Sequence, residues 1–75
     1  MKKWEGFDSA IIGTATIWNG NERVDVLVYD IYRMVDQLTI RDGMSQVEAL
    51  EYIDFNIEGA YIGKDTPVIV WDWDE

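Results

Sequence analysis

The chain has 75 residues, one proline, no cysteine, no histidine and a formal charge of −9. At this length it makes one domain with a thin core, burying only roughly 60–65% of its unfolded surface, and a hydrophobic content of 48% argues against disorder. The composition excludes disulfide staples, thiolate metal sites and the usual nucleophile–base pairs, and no stretch approaches the roughly 20 apolar residues of a membrane span.

Met1-Lys2-Lys3-Trp4-Glu5-Gly6 has two lysines but no apolar run behind them, so no signal peptide is expected. Ser9 to Trp18 reads as a strand rich in β-branched and aromatic residues, and Asn19-Gly20 then signals a hairpin. The second strand, Arg23 to Tyr29, sets Val24, Val26 and Val28 on one face and Asp25, Leu27 and Tyr29 on the other. A two-residue loop pairs Trp18 with Asn21, and a four-residue loop pairs it with Arg23. Both put Ile11, Gly13, Ala15 and Ile17 beside the three valines, which makes that the expected core face.

Asp30 is placed to cap a helix from Ile31 to Arg41, with Ile31, Met34, Val35 and Leu38 as its apolar stripe. Arg41 suits the dipole of the last turn and Gly43 the left-handed stop. Ser45 and Glu48 form a capping box for a second helix, Gln46 to Ile57. Its expected buried side is Val47, Leu50, Ile53 and Ile57, with Glu48, Glu51, Phe55 and Glu58 together on another face. A loop from Ala60 to Thr66 and the turn proline Pro67 lead into a last strand, Val68 to Trp73.

The expected fold is therefore α+β, a single domain over residues 1–75 in the order ββααβ, with an αα-hairpin packed on one face of a three-stranded sheet. Two helices return the chain to its starting end, so the third strand is expected parallel to the first and antiparallel to the second. Either sheet edge could receive it.

The charge is lopsided. From Asp42 to Glu75 nine acids face a single base, Lys64, for a net −8; from Met1 to Arg41 six acids face five bases, for a net −1. The acids alternate with Tyr52, Phe55, Tyr61, Trp71 and Trp73. Charge of one sign concentrated on a small surface steers basic partners and repels nucleic acid and anionic membranes. Asp72 and Asp74 point one way along a strand with no turn to gather further oxygens, so they read as gatekeepers beside tryptophan rather than as metal ligands. No glycine-rich phosphate loop is present, because Gly59 and Gly63 are too far apart and follow a helix. Trp18, at the hairpin end beside Arg23, reads as structural filler. Trp71 and Trp73, large rigid side chains embedded in acid, fit a contact site and core filling equally well.

Ile11-Ile12-Gly13, Leu27-Val28-Tyr29-Asp30, Arg41-Asp42-Gly43-Met44, Glu48-Ala49, Glu51, Phe55-Asn56, Gly59-Ala60-Tyr61, Gly63 and Thr66-Pro67-Val68 form a spaced pattern over Phe7 to Val70. In this pattern the chain resembles a group of small uncharacterised proteins found widely in bacteriophages and bacterial genomes. The resemblance implies a phage-like setting and brings no catalytic residues. Trp71 to Glu75 extend beyond the usual end of that group.

Together these readings give an expected non-catalytic, acidic protein-binding module of phage type, needing no cofactor or metal. It would modulate or inhibit a host protein, such as a nuclease or another nucleic-acid-binding protein, by occupying its basic surface. The expected contact residues are Glu48, Glu51, Asp54, Phe55, Glu58, Trp71, Asp72, Trp73 and Asp74. Direct contact with nucleic acid or membrane is not expected, and the expected location is cytoplasmic, in the host if the gene is a phage's. The alternative is a small structural or assembly protein, a homo-oligomer joined through the last strand and its tryptophans.

Overall fold

Asn19 pairs with Glu22 and Trp18 with Arg23, so Gly20-Asn21 alone joins β1 (Ile11–Asn19) to β2 (Glu22–Asp30). Gly20 has a φ of +65° while Asn21 has no positive φ, the pattern of a type II′ turn, whose twist matches antiparallel strands. The computed structural model describes residues 1–58 and 62–71; of Glu58 only the backbone is described. Within them the order is the expected ββααβ, an α+β fold: a three-stranded mixed sheet with two helices.

Gly13, Ala15 and Ile17 share a face with Val24, Val26 and Val28, as the register argument requires. Ile11 does not. The register shifts between Ile11 and Gly13, and this bulge sets Ile11 opposite Tyr29. Val26 and Val28 are buried on the expected face, but the cluster packed against the helices lies on the other one. Tyr29, with Leu27, Ile11 and Ile69 around it, packs into the cluster formed by the helices, whereas the buried Val26 and Val28 stand outside that cluster. The valines alternate more cleanly, but Leu27 and Tyr29 offer longer side chains at the end of β2 where the helices begin. Towards the turn the same face carries Thr14, Thr16, Trp18, Arg23 and Asp25, all exposed.

Asp30 ends β2 and caps α1 (Ile31–Asp42), its carboxylate accepting from the Arg33 N–H at 3.1 Å. Ile31, Met34, Val35 and Leu38 are buried, as their spacing predicts. Each contributes about 1.5–3 kcal/mol relative to exposure. Gly43, at φ +71°, turns the chain left-handed, and Met44 N–H closes the end on the Leu38 carbonyl at 3.3 Å. Arg41 reaches back to the Gly6 carbonyl at 2.8 Å and lies over the Phe7 ring, tying the amino-terminal segment to α1.

Helix α2 (Gln46–Ile53) gives way to a π-helical turn, Asp54–Glu58, where the sequence predicts continuous α-helix to Ile57. The Asn56 side-chain amide donates to the Tyr52 carbonyl at 3.0 Å, the acceptor that its own N–H would use in an α-helix. The buried side of α2 also differs from the expected one. Ala49, Ile53 and Ile57 face the core, while Val47 is 67% exposed and Leu50 38%. The small Ala49 side chain, fully buried, is the residue that faces the cluster shared with α1.

Strand β3 (Val68–Val70) lies beside β2, which is thus central, and runs parallel to it: Val28 pairs with Val68 and Asp30 with Val70. This overturns the expected direction, antiparallel to the second strand and parallel to the first. The helices do return the chain, but the segment before β3 carries it on to the hairpin turn. There Lys64 is ion-paired with Glu22, and its carbonyl accepts from the Asn19 amide at 3.3 Å.

Candidate functional site

The capping box at the start of α2 is complete. Ser45 Oγ accepts from the Glu48 N–H at 3.1 Å, and Glu48 Oε1 accepts from the Ser45 N–H at 3.0 Å. Glu48 is thus both a member of the acidic surface and a structural cap. Its carboxylate is committed at one oxygen and open at the other.

One turn on, Glu51 stands between two shallow recesses. Met44, Glu48, Tyr52, Phe55 and Asn56 complete the first, and Leu50, Asp54 and Trp71 the second. The parallel direction of β3 produces this juxtaposition, because it delivers Trp71 to the α2 end of the sheet. Phe55 is 82% exposed and Trp71 49%, so each presents a ring to solvent beside carboxylates. The structure therefore gathers Glu48, Glu51, Asp54, Phe55 and Trp71 around one helix. The Glu58 side chain and Asp72, Trp73 and Asp74 lie outside the described residues.

Sequence spacing missed Val47 and Leu50 as part of this surface, having assigned both to the core. Their exposure makes the acidic face more apolar than the pattern suggests. A signal was available: Ala49, Ile53 and Ile57 form an alternative i, i+4, i+8 stripe on the same helix.

Five of the six Lys and Arg side chains have partners away from this surface, and the sixth, Arg33, lies on α1 beside Asp36 and Gln37. Lys2 and the terminal amine lie 3.9 Å from Asp65, Lys3 lies 3.2 Å from Asp8, Arg41 3.1 Å from Asp42, and Lys64 pairs with Glu22. Arg23 lies over the Trp18 ring, which is 69% exposed at the hairpin end. Among the described residues no base pairs with Glu48, Glu51 or Asp54. These carboxylates repel one another without internal compensation, and an external cation relieves that repulsion. Among the described residues no group of three or more potential ligands is arranged to hold a metal ion. No described helix is long and apolar enough to cross a membrane.

Comparison with protein-family models, with curated proteins and with solved structures gives no match.

Proposed function

We propose that the protein is a non-catalytic binding module whose acidic α2 face, flanked by Phe55 and Trp71, occupies a basic surface on another protein. The observation that carries this reading is the position of Glu51. It joins two recesses in which uncompensated carboxylates sit beside exposed aromatic rings. Carboxylates in such an array attract Lys and Arg side chains, while the rings supply the desolvated area on which binding energy concentrates. A surface of Lys and Arg that ordinarily receives phosphates is the natural complement, so a nuclease or another nucleic-acid-binding protein is the class of partner proposed. The phage-like sequence pattern agrees with such a role in a host cell.

The test is capture from a bacterial lysate by the immobilised protein and by a variant carrying Glu48→Gln, Glu51→Lys and Asp54→Lys. Glutamine at position 48 keeps the cap acceptor, so the variant should fold. The reading expects basic nucleic-acid-binding proteins on the wild type that are absent from the variant. Capture of the same proteins by both would overturn it.

A further inference from the structure

Strand β1 is an edge strand, and among the described residues its only strand partner is β2. Its nine residues, Ile11-Ile12-Gly13-Thr14-Ala15-Thr16-Ile17-Trp18-Asn19, contain no charged side chain and no proline in a chain that is 28% charged. Edges left free in solution are usually blunted by charge, proline, bulges or shortness. Here the single bulge lies at the start, between Ile11 and Gly13, and Thr14 to Asn19 runs on without interruption.

We propose that β1 pairs antiparallel with β1 of a second copy, about a two-fold axis at Ala15. This register is self-complementary. Thr14 faces Thr16 of the other copy and Gly13 faces Ile17, while the bulged Ile12 falls outside the regular ladder. It sets threonine against threonine on both sides of the axis and lays the exposed Trp18 along the start of the other copy's strand. The occupant follows from charge. An uncharged edge has nothing with which to select a basic or acidic foreign strand, whereas a copy of itself presents the same uncharged edge.

The acidic α2 surface lies away from this edge, and the carboxylate beside the axis, Asp25, is held by the Thr16 hydroxyl at 2.8 Å. The sheet order becomes β3-β2-β1-β1-β2-β3, so the β3 edges, next to which the acidic α2 surface lies, stand five strand spacings apart. That is about 24 Å, roughly three Debye lengths at physiological salt. Both acidic faces stay open, and the pairing differs from self-association through the last strand.

Sedimentation velocity on the full chain over a concentration series tests the proposal. The wild type should form a dimer that salt strengthens or leaves unchanged, because screening weakens repulsion between two chains of −9. The Thr14→Lys/Thr16→Lys variant sets like charges opposite across the axis and should be a folded monomer. The Thr14→Glu/Thr16→Lys variant sets opposite charges there and should remain a dimer. A wild type that is monomeric at every attainable concentration would overturn the proposal. So would a dimer that survives the double lysine change, or one lost equally in both variants. None of these outcomes depends on the α2 face.

Discussion

The backbone N–H of Trp4 donates to the hydroxyl of Tyr29 at 2.9 Å, and the two rings lie 4.9 Å apart with 44° between their planes. This contact fastens the amino-terminal segment over the helix-covered face of β2. Burial pushes the Tyr29 phenol above its ordinary pKa of 10.0, and the donated hydrogen bond opposes that shift only in part. A raised folded-state pKa means that the folded protein holds the proton longer than the unfolded chain. The contribution is whole below pH about 10 and is lost as pH rises through the folded value.

Tyr29→Phe should therefore act in two ways. At neutral pH it leaves the Trp4 N–H without its acceptor, for a loss of about 1 kcal/mol. Above pH about 10 its stability should fall less steeply than that of the wild type. Lys3, raised chiefly by its hydrogen bond to Asp8, titrates with the same sign and remains in the variant. Urea titrations across this range check both effects, and an unchanged alkaline slope would count against the burial of the phenol.

Ser45→Ala removes the acceptor for the Glu48 N–H and should cost about 1 kcal/mol. For a domain of this size that lowers Tm by roughly 4–8 °C. Glu48→Gln should be nearly silent, since an amide oxygen can still accept from Ser45. Calorimetry on the two variants would refute the capping box if their order were reversed.

The orientation of α2 predicts a contrast between two neighbouring apolar residues. Ile53→Ala empties a fully buried site and should destabilise by about 2–5 kcal/mol. Val47→Ala removes an exposed side chain and should stay within about 0.5 kcal/mol. Equal losses in chemical denaturation would restore the stripe expected from spacing alone.

What was legible in the sequence was local. The Asp30 cap, the Gly43 stop and the Ser45–Glu48 box each depend on residues within one turn of one another and lie where expected, while the hairpin signalled by Asn19-Gly20 turns one residue later, at Gly20-Asn21. The direction of β3 depends on where Lys64 and Asn19 meet, 45 positions apart, which no periodicity records. The rotation of α2 was hidden because the small Ala49 was outweighed by the larger Val47 and Leu50 when apolar stripes were matched. Val26 and Val28 are buried as expected, but the alternation of the valines says nothing about which side the helices cover. For the same reason Glu48, Glu51 and Phe55 follow from helix spacing, whereas their neighbour Trp71 owes its place to the tertiary fold.

Phe55→Ala and Trp71→Ala should leave Tm within a few degrees, because both rings are largely or half in solvent. Each should nevertheless weaken partner binding by more than 1 kcal/mol, the scale of an interface hot spot. A large drop in Tm for Trp71→Ala would instead make that ring part of the core.

The central claim is that the carboxylates of α2 do the binding, and the salt dependence of affinity for a captured partner measures it most directly. In calorimetric titrations across a salt series, affinity for the wild type should fall steeply as ionic strength rises. The Glu48→Gln/Glu51→Lys/Asp54→Lys variant should bind more weakly at every salt concentration and lose most of that dependence. A wild-type affinity indifferent to salt, or a variant that keeps both the affinity and the slope, would contradict the account.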